Sequence, residues 1–482
     1  MKRQHPVMIP LGAIRGTVYI MLPLAVVFFQ NVGADEPRRI LFILAIALGS
    51  MIISFGFQVL NWYFYKYRFE DGYLHVKSGV IIKNERSIKQ ERVQTVNIRR
   101  GIIQQLLGLA SLQVETAGAG GESEFNLAAV AYEEAVQIKE SLEGPGKGTS
   151  QEIDEEAKDD NLAEEEAGER PFKEYTISIP ELFIAGATSG RFLLLFSILA
   201  ALFSQVVPFI PEDFWETLID QVTSTALITV ILVGLVLLLF SWLTSTAAYV
   251  IQYINFTIRR DEERLQVTWG LIEQKQLTLK LHRLQALVVQ EELLRQPIGR
   301  VALSAEVAGG GSKEQDYITI LFPLLHKKRL PEFLKTVLPE YSLPESFKPL
   351  PQRSLRRYLF RALAPLLLIS IAMLWLPHDY GWLSFFLLIP AFFWGLSRYR
   401  AGGTFIEVNQ LALRFRFINR YTVLTMRSNI QAIQVSVNPF QRRQDLKTLR
   451  AWVLSSPEGK QFQVVDVESA ESKSIWEWFS RY

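Results

Sequence analysis

Six stretches of this chain are too long and too apolar for a soluble core, and they limit its fold more than any other feature. They fall at roughly 16–34, 40–62, 192–210, 226–250, 358–376 and 380–397. A helix crossing hydrocarbon needs about 20 mostly apolar residues, because its backbone groups must be satisfied within the segment. The uncharged runs 40–60 and 227–240 meet this best, whereas the sixth block is short and contains Pro390. The blocks come in three pairs with short connections, the pattern of helical hairpins. Around the first, Val32-Gly33-Ala34 resembles a signal-peptide cleavage site, but the block is long for such a region. The pairing recurs twice downstream, so it is read as an anchor.

Charge orients the hairpins. The connection 211–221 carries Glu212, Asp213, Glu216 and Asp220 without Lys or Arg, and 377–381 lacks both as well. Fourteen basic residues, from Lys2 and Arg3 to Arg398 and Arg400, flank the other ends, against Arg38 and Arg39. The positive-inside bias then places both termini and every large polar segment in the cytosol. The net charge of +2 hides an uneven distribution: residues 152–169 hold ten carboxylates and one lysine, so the rest of the chain is +11. That excess suits an anionic membrane face and is too small for a nucleic-acid binder. Without cysteine there is no disulfide, thiolate metal site or cysteine nucleophile.

A polar segment follows each hairpin, and the first two align without gaps over forty positions. Gly79 matches Gly270, Arg92 matches Arg283, Gln94 matches Gln285, Gln105 matches Gln296, Gly108 matches Gly299, and Gly118 matches Gly309. In the third, Gln431 and Leu449 hold their places, while Asn429 replaces the arginine and Asp445 the glycine. Within a module, strands are expected at 65–69, 73–77, 80–88, 92–99, 111–116 and 125–130, with a tight turn at Asp71-Gly72. One helical turn over 101–107 ends at Gly108, and amphipathic helices at 131–142, 330–338 and 469–478 close the modules.

These residues resemble the bacterial pleckstrin-homology-like domain of multi-pass membrane proteins. The likeness rests on Arg92-x-Gln94, Gln105-x-x-Gly108, Leu112 and Thr116-Ala117-Gly118. It repeats as Arg283-x-Gln285, Gln296-x-x-Gly299, Leu303 and Val307-Ala308-Gly309, and the segment 178–190 also fits. The resemblance implies a partly open β-barrel with a C-terminal helix, and an association of some members with tolerance of antimicrobial peptides.

The fold class expected is a multi-pass α-helical membrane protein with three cytosolic modules, α+β overall. Hairpins occupy 1–64, 173–252 (with a short amphipathic segment) and 358–398. Modules occupy 65–142, 253–341 and 399–482, joined by an acidic disordered linker at 143–172 and a proline-containing one at 342–357. No catalytic, cofactor-binding or metal-ligating residue is assigned, since the five histidines lie far apart and the glycine clusters 118–121 and 309–311 match no phosphate loop. Arg92, Gln94, Gln105, Gly108, Arg283, Gln285, Gln296 and Gly299 are the candidate positions, either structural or on the module surface. Arg92 with Gln94, and Arg283 with Gln285, are expected to share one face of a strand. Four of the six spans lack ionisable core residues, and Ser241, Thr244, Ser245 and Thr246 suit helix packing.

The function expected is a non-catalytic scaffold in a bacterial plasma membrane, binding protein or lipid headgroups in defence of the envelope. Its partners would be the bilayer and a membrane protein with the same module, or a second copy, with the ligand unknown. An exporter of a hydrophobic peptide or lipid is the alternative, and a lipid-acting membrane enzyme the third reading.

Overall fold

The computed structural model describes residues 1–10, 12–13, 16–17, 23, 37–70, 72–80, 82–116, 125–143, 174–207, 210–219, 226–308, 318–375, 381–455 and 459–480. Most of the first apolar block, the acidic linker and the loops holding Gly118 and Gly309 lie outside them. The chain forms two compact units, residues 1–171 with 272–278, and residues 172–271 with 279–482.

In the first unit, β1 (Lys2–Arg3) pairs antiparallel with β2 (Lys66–Glu70), Lys2 opposite Tyr67. β3 (Tyr73–Ser78) and β4 (Asn84–Lys89) complete this sheet in the order β1-β2-β3-β4. The sharp reversal between β2 and β3 is possible because Gly72 takes φ +75°. A second antiparallel group holds β5 (Val93–Arg100), β6 (Leu109–Thr116) and β7 (Phe125–Ala131). Alternate residues point inward, so Leu74, Val76, Val96, Leu112 and Leu127 meet Ile138 and Leu142 of the closing helix Tyr132–Glu143. Residues 274–276 add antiparallel to β5, pairing Gln274 with Arg100 and Gln276 with Ile98.

The second unit carries this plan twice. β8 (Glu174–Thr176), β9 (Thr257–Arg260) and β10 (Arg264–Trp269) pair in that order. After β11 (Gln274–Lys280), β12 (Leu284–Glu291), β13 (Arg300–Val307) and β14 (Ile318–His326) form the second group, closed by the helix Leu330–Val337. The third module places β15 (Lys348–Pro349), β16 (Gly403–Ile406), β17 (Gln410–Arg416) and β18 (Arg420–Met426) in one group. β19 (Ile430–Ser436), β20 (Leu446–Val453) and β21 (Lys460–Glu468) form the other, under the helix Ser469–Ser480.

The opening strand of each module thus lies before its apolar pair. β1, β8 and β15 each pair with the strand that follows the helices. Residues 342–357, expected as a linker, supply β15. Such two- and three-residue strands carry no readable alternation, and Pro349 argued against one.

Among the described residues four helices are long and apolar enough to cross a membrane: Leu44–Phe64, Ile228–Tyr253, Arg353–Leu374 and Gly381–Ala401. The pair Ile179–Ala187 and Arg191–Val206, bent by 55°, makes a fifth if it is one span. Small residues bring helices together. A Cβ on Gly12 would stand 2.7 Å from Gln58 Oε1 and one on Gly16 2.8 Å from Ser54 Oγ, and one on Gly395 would meet Ala362 Cβ at 3.0 Å. Ser241, Ser245 and Thr246 are buried as expected for packing, while Thr244 is exposed.

Polar contacts weld the helix ends to the sheets. Trp62 Nε1 donates to the Gln4 carbonyl at 2.8 Å, and Gln4 Oε1 accepts from the Ala128 amide at 3.1 Å. Arg295, 2% exposed, donates to the Ala185 carbonyl at 2.8 Å and to Thr188 Oγ1 at 3.2 Å, holding the bend. In the third module Asp466, fully buried on β21, accepts from Arg357 Nε at 3.0 Å, Gln441 Nε2 at 2.9 Å, and Arg361. Both arginines belong to the helix Arg353–Leu374. Removing the carboxylate strands two guanidinium groups, so Asp466→Ala is expected to cost on the order of 3–5 kcal/mol. The check is a lowered thermal midpoint for the detergent-purified protein, and an unchanged midpoint contradicts it.

Candidate functional site: the strand seam

Within the second unit, β12 and β18 join two modules edge to edge. Six residue pairs run in register, from Ala286 opposite Thr425 to Glu291 opposite Arg420. Ladder hydrogen bonds fix the register, and side chains finish what the ladder leaves open. Thr425 Oγ1 donates to the Gln285 carbonyl at 2.9 Å, and Asn429 Nδ2 and Tyr341 OH donate to the Leu284 carbonyl at 2.8 and 3.3 Å. Asn419 Oδ1 accepts from the Leu293 amide at 3.2 Å. The seam is apolar underneath: Ala286 and Val288 pack into one core with Leu411, Leu413 and Val423.

A buried carboxylate closes one end. Glu291, 6% exposed, receives both arms of Arg420, with Nε–Oε1 at 2.9 Å, and has Lys327 Nζ at 3.4 Å. Burial lowers the pKa of Arg414 and Arg416 from the ordinary arginine value, the Arg420 charge acts the same way, and Glu291 opposes it. One anion therefore balances a cluster of cations at this end. Glu306, fully buried on β13, accepts from Ser455 Oγ at 2.7 Å and from Lys460.

The repeated Gln-x-x-Gly motif belongs to this seam. Gln296 Nε2 donates to the Glu291 carbonyl at 2.9 Å, tying the turn to the end of β12, while its Oε1 accepts from Arg416 of the next module. Gln105 does the same in the first unit, donating to the Arg100 carbonyl at 2.9 Å and to the Ile272 carbonyl at 3.2 Å. Gly108 and Gly299 take φ +64° and +62° after these turns, and Asp445 takes +54° in the third module. Aspartate enters that region at modest cost, so the substitution keeps the backbone path.

Gln285 is buried, and its Nε2 donates to the Arg283 carbonyl at 3.3 Å. Arg283 itself is half-buried and closes the one-turn 3-10 helix Leu281–Arg283 ahead of β12. Arg92 occupies the same place in Gln90–Arg92. Neither arginine is therefore on a strand, and the expectation that each shares a strand face with its glutamine does not hold. The side chains of Arg92 and Gln94 lie outside the described residues. Sequence reasoning missed Glu291, Arg420 and Arg416, whose partners are over a hundred residues away. The one available signal was a glutamine with no core role at equivalent places in two repeats.

Two turns between strands carry exposed apolar residues. Leu271, Ile272, Phe417 and Ile418 are exposed between strands. Gly270 N donates to the Ile254 carbonyl at 2.8 Å beside the end of a spanning helix, and the Phe417 ring lies 5.7 Å from that of Trp394.

Truncation of the clamp tests the seam. Glu291→Ala leaves Arg420 without its anion in a site largely closed to water, at a cost on the order of 3 kcal/mol. The expected readout is faster hydrogen exchange at the amides of β12 and β18, with β20 and β21 unchanged.

Comparison with known proteins agrees with this architecture. The family described as bacterial PH domain matches over residues 18–145, 192–341 and 358–482. The UPF0699 transmembrane protein YdbT of Bacillus subtilis (strain 168) is 33% identical over 488 residues, spanning 99% of this chain and 98% of the relative. No solved structure matches. Three matching segments, with apolar helices ahead of the sheets, make the chain a membrane protein of the bacterial PH domain family.

Proposed function

We propose that this chain is a non-catalytic scaffold of a bacterial plasma membrane, crossing six times and presenting three PH-like modules to the cytosol. Each module is a small, partly open β-barrel whose work is to bind a β-strand at its edge. The observation that supports this most is the β12–β18 seam, where one module takes up a strand of another by backbone pairing and closes over it with side chains. That is binding by strand addition, which needs no pocket and no reacting group.

Strand pairing supports this topology. Because β8 pairs with β9 and β15 with β16, the chain enters and leaves each helical insertion at one place on the sheet. A crossing that starts and ends on the same side comes in even numbers. Ile228–Tyr253 thus takes Arg191–Val206 as its partner, and Arg353–Leu374 takes Gly381–Ala401. By the same parity Leu44–Phe64 calls for one more crossing, and the apolar block 16–34, most of it outside the described residues, has the composition for it. Basic residues at the module ends of these helices, among them Arg191, Arg357 and Arg398, favour the cytosolic side. The turns at 271–272 and 417–418 would then rest in the headgroup layer, where apolar tips gain contact with lipid. Envelope defence against antimicrobial peptides is the physiological setting favoured by the family resemblance.

The chain contains no cysteine, so single cysteines report its sidedness. A membrane-impermeant maleimide added to intact cells is expected to label Asp213→Cys, in the short connection, and to spare Ser346→Cys until the membrane is opened. Labelling of Ser346→Cys in intact cells overturns the proposed topology.

A further inference from the structure

The chain uses one kind of seam twice, in one register. In the second unit Glu291, Gln290 and Val289 face Arg420, Tyr421 and Thr422. In the first unit Arg100, Arg99 and Ile98 face Gln274, Lys275 and Gln276. Aligned by the repeat, these are the same three pairs. Each time the fifth strand of one module meets the fourth strand of the next. Such a joint is head-to-tail, and a head-to-tail joint leaves one unused face of each kind.

Both unused faces are visible. Among the described residues β4, the fourth strand of the first module, pairs with β3 alone, and β19, the fifth strand of the third, pairs with β20 alone. Burial follows the difference. Ala286 and Val288 on β12 are buried, whereas their equivalents Ala432 and Gln434 on β19 are exposed. On β4, Glu85, Arg86 and Ser87 are exposed, whereas their equivalents Thr422, Val423 and Leu424 on β18 are buried. An open edge is normally blunted by charge or proline. β19, with the sequence IQAIQVS, has neither.

We infer that two copies of this chain join through these faces, β19 of one pairing antiparallel with β4 of the other in the register of the internal seams. Ala432 then faces Ile88, Ile433 faces Ser87, Gln434 faces Arg86, and Ser436 faces Asn84. No charged residue of β19 opposes the charges of β4. The clamp of the internal seam is not repeated, since Val437 stands where Glu291 does and faces Lys83. Arg442 likewise replaces the latch glutamine. The joint between copies thus rests on the backbone ladder and is weaker than the β12–β18 seam, a reversible contact between molecules already confined to one membrane. The inference deepens the scaffold reading, and names its partner as a second copy.

The test uses two differently tagged full-length chains, each with one cysteine, co-expressed and oxidised in the membrane. Ser87→Cys with Ile433→Cys, and Asn84→Cys with Ser436→Cys, put one pair at each type of ladder position. Opposed Cα atoms there lie about 4.5–5.5 Å apart, within reach of a disulfide. Cross-linked product carrying both tags is expected from a matched pair and not from Ser87→Cys with Ser474→Cys, which pairs an edge residue with the closing helix. Gln434→Lys, placing like charge opposite Arg86, is expected to reduce the product by about two- to five-fold. Arg86→Glu in the other chain should restore it. Absence of product from both matched pairs overturns the self-assembly. If a different membrane protein bearing the module then co-purifies in equal amount, the scaffold reading survives that failure. If none does, both fall together.

Discussion

Everything in this molecule depends on a short piece of backbone pairing at the base of each helix pair. Two or three residues before the helices lie against the strand after them, as Lys2 lies opposite Tyr67 and Lys348 opposite Thr404. Such a pairing is weak alone, since a strand of two residues makes few ladder bonds. It holds because the helices it brackets are packed together through small residues and because polar side chains lock the junction. In the third module that lock is Asp466 with two helix arginines and Gln441; in the second it is Arg295, donating to the Ala185 carbonyl and the Thr188 hydroxyl at the bend. A sheet held this way cannot swing freely from its helices. The apolar insert and the polar module act as one body.

Rigid bases make an edge useful. A strand edge on a loose tether pays the full entropy of finding its partner, whereas a module tied to a membrane helix has fewer orientations to search. Internal seams add burial to the ladder, with Val288 and Ala286 in a shared core. The β12–β18 seam also adds a carboxylate buried with its arginine, where Arg100 and Gln274 meet in the first unit, and that pair contributes direction more than net stability. The Glu291 clamp rejects any strand whose end lacks a cation at the Arg420 position, since an unmatched buried carboxylate is costly.

Much of this was legible from sequence, and the exceptions share one cause. Alternation gave most of the long strands within a residue or two, although β4 begins at Asn84 and not at 80; Asp71-Gly72 marked the reversal before β3, and Gly108 marked the end of the short helix. Those are local signals. The opening strands were missed because two residues cannot show a period. Arg92 and Arg283 were placed on strands because extended residues follow them at once, yet a backbone bond from the next residue closes a 3-10 turn there. The seam was invisible because it joins residues far apart in the chain. Resemblance suggested that the modules are of a binding type, but which edge binds is a three-dimensional fact.

The third module shows how the repeat divides labour between fold and joint. Leu449 stays fully buried in its core, and Asp445 keeps the left-handed turn that glycine makes in its siblings. What changes is the equipment that the earlier modules extend to a successor. Asn429, in the place of the arginine, turns back to donate to the Leu284 carbonyl of the preceding module. Arg442 stands where Gln296 reaches Arg416, and Val437 where Glu291 holds Arg420. A module whose fifth strand meets no other module among the described residues gains nothing from a strong clamp, but a bare edge that is neither charged nor proline-blocked still costs solubility unless something covers it. The latch glutamine, present in both siblings, is what the third module has lost, and its edge is spared. That is the pattern expected where the last joint must open and close.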